Sequence, residues 1–131
     1  MNPWAILVSA VVVLGLSSVF YGLLATQLAA LSAAYAESSN PPRWKMLVEL
    51  LRSLVVASVV AGLVAQLGVT GWLDASLLAL TAWIGFPVAI LAGSVLWEKV
   101  PWRLAAIHSF DWLLKLVVIA LIVTVWVAPG G

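Results

Sequence analysis

Residues 102–127 read WRLAAIHSFDWLLKLVVIALIVTVWV. A helix needs about 20 mostly apolar residues to cross a hydrocarbon core about 30 Å thick. This run supplies them, with Arg103, Asp111 and Lys115 as its only fixed charges. Barrel strands would be short and would alternate apolar with polar residues, and this run does not alternate. It predicts a membrane-spanning helix. Three runs of the same kind precede it: from about Trp4 to Leu24, continuing as an Ala-rich stretch toward Tyr35, from about Met46 to Leu67, and from about Asp74 to Trp97. With their ends included, the helices are expected at about 4–35 (including an extension past the membrane), 41–67, 74–98 and 101–127, within one membrane domain covering residues 1–131. The expected fold class is all-α, an integral membrane bundle of four transmembrane helices.

Composition supports the same reading. Hydrophobic residues make up 65% of the chain and charged ones 8%, and the mean hydropathy is +1.19. A soluble domain carries about 25% charged residues, and disordered segments are poor in apolar ones; neither class fits. With no cysteine, disulfides, thiolate metal sites and thiol catalysis drop out. His108 is the single histidine and the five carboxylates are scattered, so no metal site is expected. A net charge of +1 argues against nucleic acid as a partner. No dinucleotide, Walker or nucleophile-elbow pattern occurs, so neither a cofactor nor an enzymatic activity is expected. Met1-Asn2-Pro3-Trp4 lacks the positive charge of a signal-peptide start, and the first span is expected to be retained.

The breaks between spans carry turn chemistry. Ser38-Ser39-Asn40-Pro41-Pro42 interrupts the chain, with Asn40 suited to an N-cap and Pro41 to a first helical turn. Gly68 and Gly71 bracket a short turn before Asp74, whose charge favours a helix start. Pro101 stands where the fourth helix begins. Arg43, Lys45 and Arg52 lie at the first junction, and Lys99 and Arg103 at the third. Basic loops stay in the cytoplasm, so both termini are expected outside (N-out, C-out) in a multi-pass protein of the plasma (inner) membrane. Tryptophan favours the membrane–water interface. Trp4, Trp72 and Trp126 fall at the outer boundary, Trp44, Trp97 and Trp102 at the inner one, and Trp83 and Trp112 deeper.

The fourth span also carries the candidate polar site. His108, Asp111 and Lys115 are spaced by three and four, which sets them on one helical face. At 1.5 Å per residue Lys115 lies roughly 20 Å from Trp102, near mid-membrane. A charge there costs about 2.5–3.5 kcal/mol or more, so Lys115 should face protein or water, with Asp111 as its partner. Depth counting puts Ser17, Ser18 and Tyr21 of the first span near Asp111, and Glu49 and Arg52 of the second near His108. A polar seam from Glu49 and Arg52 through His108 to Asp111, Tyr21 and Lys115 follows. It reads either as a proton-, ion- or anion-handling site or as a self-neutralised pair that orients the fourth helix. Glu49 and Arg52 alternatively form a local surface pair, and the serines bond their own backbone.

Small residues form ridges suited to close helix packing in lipid. Ser53, Ala57, Ala61 and Ala65 repeat every four residues in the second span, and Gly85, Ala89 and Gly93 in the third. These ridges serve packing within one chain or between chains. Pro87 inside the third span is expected to kink it and free a carbonyl near Trp83.

Asn2, Ala5-Ile6-Leu7-Val8 and Phe20-Tyr21-Gly22, then Trp83-Ile84-Gly85-Phe86 and Trp97-Glu98-Lys99-Val100-Pro101-Trp102-Arg103, resemble the domain of unknown function 1761 family over nearly the whole chain. The resemblance implies a small four-helix bacterial-type integral membrane protein and brings no established activity. Family members tend to carry a polar residue and an aromatic–His pair early in the fourth helix, whereas here His108 and Asp111-Trp112 stand there in a different order. Small multidrug exporters are less similar, since they need a carboxylate inside the first helix.

The functional expectation is a non-catalytic membrane protein, a homo-oligomer or a subunit of a larger membrane complex, with the lipid bilayer as its surroundings. The alternative is a small-ion or solute transporter or channel using the Asp111–Lys115 pair. An intramembrane enzyme acting on lipid through His108 and Asp111 ranks last, since no nucleophile accompanies them.

Overall fold

A computed structural model describes residues 2–32 and 43–127. The chain is all-α, with no strand among the described residues. Its elements are α1 (Pro3–Leu23), α2 (Ala25–Leu31), α3 (Arg43–Leu67), α4 (Trp72–Trp83), a π-helical turn (Ile84–Val88), α5 (Ala89–Trp97) and α6 (Trp102–Val127). Four spans are long and apolar enough to cross a membrane: α1, α3, the continuous stretch Trp72–Trp97, and α6. The break at residues 38–42, with Asn40 and Pro41, and the end of the first extension toward Tyr35 and Glu37 lie outside the described residues.

Local chemistry explains the ends. The Asn2 side chain accepts from the Trp4 N–H at 2.9 Å with Pro3 at the first helical position, which satisfies a helix-start donor. α3 stops where Gly68 takes φ +66°, a conformation cheap only for glycine, and the Val69 N–H reaches back to the Val64 carbonyl at 3.1 Å. α5 also ends on a positive φ, at Lys99 (57°), and the Val100 N–H reaches the Ser94 carbonyl at 3.3 Å, six residues back rather than five. The third span begins at Trp72 rather than Asp74, which leaves Asp74 in the first turn.

Two expectations change. The first span does not run on unbroken, because the helix ends at Leu23 and restarts at Ala25. The restart turns α2 onto α6 and buries Leu28, so tertiary burial overrides helix continuity. Pro87 does not simply kink the third span. The helix widens into a π turn around its buried ring, which relieves the clash that an α-helical path imposes four residues before a proline.

The central element is α6, which packs against α1, α3, α4 and α5, most extensively against α4; α1 also packs along α3. Small residues permit these approaches: Ser53, Ala57 and Ala61 of α3 and Ala75 and Ala79 of α4 are all buried. The core joins the four alanines to Val13, Val60, Val64, Leu116, Ile119, Ala120 and Val123. Those positions occupy the C-terminal halves of α3 and α6, the first half of the third span (Trp72–Trp97) and, with Val13, the middle of α1. The apolar core therefore fills one half of the bundle, away from the end where α3 and α6 begin. Gly85 and Ala89 are exposed and Gly93 is half-buried, with open space where a Cβ at either glycine would stand. This second ridge is left out of packing within the chain.

Candidate functional site

In the other half of the bundle the helices diverge around polar side chains. Asp111 is 2% exposed and sits where α6 meets α1. Its Oδ1 accepts from the Ser17 hydroxyl at 2.5 Å. Its Oδ2 lies 2.9 Å from Lys115 Nζ, one helical turn on, and 3.4 Å from the donating Tyr21 hydroxyl. A buried carboxylate is tolerated when its lone pairs meet donors and its charge a counter-charge, and this one has both. The Lys115 ammonium also lies 5.1 Å from the ring centre of Trp112, a favourable cation–π placement.

Tyr21 links this pair to His108. Its hydroxyl lies 2.7 Å from His108 Nδ1, either group donating according to the imidazole tautomer. When Nδ1 is unprotonated the tyrosine proton points to it, and when Nδ1 carries a proton the hydroxyl is released to donate to Asp111. Among the described residues the hydroxyl proton thus has two acceptors, both on α6. Phe20 and Phe110 pack beside this junction with ring centres 5.3 Å apart.

Ser17 separates from the other serines here. Ser18 bonds the Leu14 carbonyl at 2.8 Å and Ser58 the Leu54 carbonyl at 2.7 Å, closing onto their own helices. Ser17 crosses to α6 instead. Depth counting set it at the level of Asp111 but gave no reason to prefer it over Ser18. Trp83 is a contact that sequence reasoning missed: its indole N–H donates to the Ser109 carbonyl at 2.7 Å, tying the third span to α6 next to the cluster. Its depth and its place near Pro87 say nothing of this partner, but an indole there must find an acceptor when water is absent.

Glu49 and Arg52 bond one another, as an i,i+3 pair on α3. They face the cluster across a cavity of about 720 Å³ whose walls include Ser17, Tyr21, His108, Asp111, Trp112 and Lys115. Ser18, Gly22, Ala25, Lys45 and Met46 line it as well and are exposed, forming its rim. A small recess of about 20 Å³ continues past Lys115 to Val13, Ser53, Val56 and Ile119, where the apolar core begins. The cavity is therefore open along this rim, Lys45 included, and closed toward the core. Among the described residues no three His, Cys, Asp or Glu side chains gather as a metal ion would require.

The tryptophans bracket the spans. Trp4, Trp44, Trp72, Trp97, Trp102 and Trp126 are exposed at helix ends, whereas Trp83 and Trp112 are half-buried. A family model described as "Protein of unknown function (DUF1761)" matches residues 4–124. No curated protein and no solved structure matches the chain.

Proposed function

The chain belongs to the DUF1761 family of proteins of unknown function, and we propose that it is a membrane protein that binds a small polar solute in a one-ended cavity and passes it across the bilayer. The observation that carries this reading is the cavity of about 720 Å³ ending at the Asp111–Lys115 pair. Its size falls within the range of small-molecule sites, about 300–1,000 Å³. Ionisable groups at this depth are expensive to keep and typically mark ion or substrate pathways. The Tyr21–His108 contact supplies a group that can change its donor direction beside the pair, as coupling to protons would use. The packed half of Leu116, Ile119, Ala57 and Ala61 is the barrier that an opening motion would have to part.

The lysines and arginines support a cytoplasmic mouth, both termini outside, and residence in the plasma (inner) membrane. With no natural cysteine, single cysteines placed at Thr70 and Lys99 report sidedness. A membrane-impermeant maleimide added to intact cells should label the first and spare the second; the reverse pattern refutes the orientation. Transport is tested in proteoliposomes loaded with small organic acids, amines and sugars in turn. Saturable release of one class, lost in Asp111→Asn, supports the reading, and release no faster than from empty liposomes refutes it.

Self-association is a second reading, and the exposed Gly85–Ala89 ridge supports it, because small residues let helices of two copies approach closely in lipid. Native mass measurement in detergent decides it: a single-chain mass in mild detergent and in lipid nanodiscs alike refutes it.

A further inference from the structure

We infer that the molecule taken up by this cavity is an anion headed by a carboxylate or phosphate group, supplied either by a free solute or by an acidic lipid headgroup. The inference rests on the reading of the cavity as a binding site and names the chemistry it selects. Among the described residues five fixed charges line the cavity: Lys45, Arg52 and Lys115 against Glu49 and Asp111. Both carboxylates are already engaged. Asp111 accepts from Ser17, Tyr21 and Lys115, and Glu49 accepts from Arg52.

The donors are not used up to the same degree. An ammonium offers three N–H groups and a guanidinium five, and Lys115 and Arg52 each spend one bond on a carboxylate. Lys45 lies 5.7 Å from the Trp44 ring centre, and among the described residues no carboxylate is within ion-pair distance of it. The capacity left for a guest is therefore donor capacity, and among the described residues the surplus charge is positive. A cation entering would have to displace Lys115 or Arg52 from its carboxylate.

The placement of the cations adds a path. Lys45 stands at the rim, and Arg52 is roughly 10 Å further along α3 at 1.5 Å per residue. Lys115 is at the closed end. An oxyanion moving inward meets a fixed positive group at each stage, among apolar walls from Leu14, Leu28, Met46 and Trp112 that strengthen each attraction. Arginine in particular suits planar, two-point recognition of carboxylate or phosphate.

The test uses the full chain in phosphatidylcholine nanodiscs. Benzoate and inorganic phosphate are titrated as free anions and benzylamine as the size-matched cation, read by tryptophan fluorescence with Trp112→Phe to assign the signal. In parallel, discs containing phosphatidylglycerol are analysed by native mass spectrometry for retained lipid. The expected result is saturable binding of an anion or retention of phosphatidylglycerol, with no response to benzylamine. Arg52→Gln, at an exposed position, should weaken it about tenfold, and the charge-neutral double variant Asp111→Asn with Lys115→Met should weaken it further. Binding of benzoate or phosphate assigns a free solute, and retention of phosphatidylglycerol alone assigns a lipid headgroup. Benzylamine binding as well as benzoate, the absence of both anion binding and lipid retention, or indifference to both variants overturns the inference. Anion binding without flux would refute the transport reading and leave this one standing, and flux of amines or sugars without anion binding would do the reverse.

Discussion

Replacing Asp111 by asparagine tests the pair on which the site is built. The substitution keeps size and an acceptor for Ser17, and removes the charge facing Lys115 at 2.9 Å. At an effective dielectric constant of about 20, two unit charges at that separation attract by about 6 kcal/mol. The lysine side chain is 13% exposed, so some of this returns as solvation and some as contact with the asparagine carbonyl. Breaking one side of a buried pair typically costs about 3–5 kcal/mol, and the lower end, about 3 kcal/mol, is expected for Asp111→Asn. Lys115→Met should cost a similar amount, because the carboxylate then has only hydroxyl donors from Ser17 and Tyr21. The double variant removes both charges together and should cost less than either single change. The assay is reversible unfolding of the purified protein in mixed micelles, followed by circular dichroism, with the four proteins forming a double-mutant cycle. If the two single effects simply add in the double variant, the charges are not coupled and the reasoning about the site fails.

Five further substitutions probe other links. Ser17→Ala removes a hydrogen bond to a buried charge and should cost about 1.5–3 kcal/mol, whereas Ser18→Ala, whose hydroxyl closes onto its own helix, should change unfolding in the same micelles by under about 0.5 kcal/mol. Ala57→Leu should destabilise by about 1–3 kcal/mol through overpacking of a fully buried position, and Ala89→Leu should leave the unfolding midpoint unchanged while altering native mass if that ridge joins copies. Thr124→Val should raise stability by about 1 kcal/mol, because the Thr124 hydroxyl is buried with no hydrogen-bond partner among the described residues; a measured loss of stability would refute this.

The four spans could be read from sequence because lipid imposes a coarse rule, and the glycines, prolines and tryptophans at the ends punctuate it. The helical face of His108, Asp111 and Lys115 was equally legible, since three- and four-residue spacing is a property of one helix. Tyr21 was reached by depth counting, which fixes a level in the membrane but not a direction. For that reason Ser17 and Ser18 were indistinguishable until α1 was rotated against α6. The break at Leu24 has no signal at its own position, because burial of Leu28 causes it. Glu49 and Arg52 were assigned both to a seam and to a local pair. They form the pair, and the cavity between helices, which no single helix encodes, puts them opposite the cluster.

The π turn at Ile84–Val88 has a mechanical corollary. An α-helix rotates by about 100° with each residue, and a π turn fits an additional residue into one turn. The two halves of the third span are thus out of phase with a continuous helix by about that angle, and both α4 and α5 nevertheless keep a side against α6. The turn behaves like an offset coupling in a shaft: the halves meet α6 on stripes of sequence that need not be in line, and a change in residue count at the coupling would swing one stripe toward the lipid while leaving the other seated.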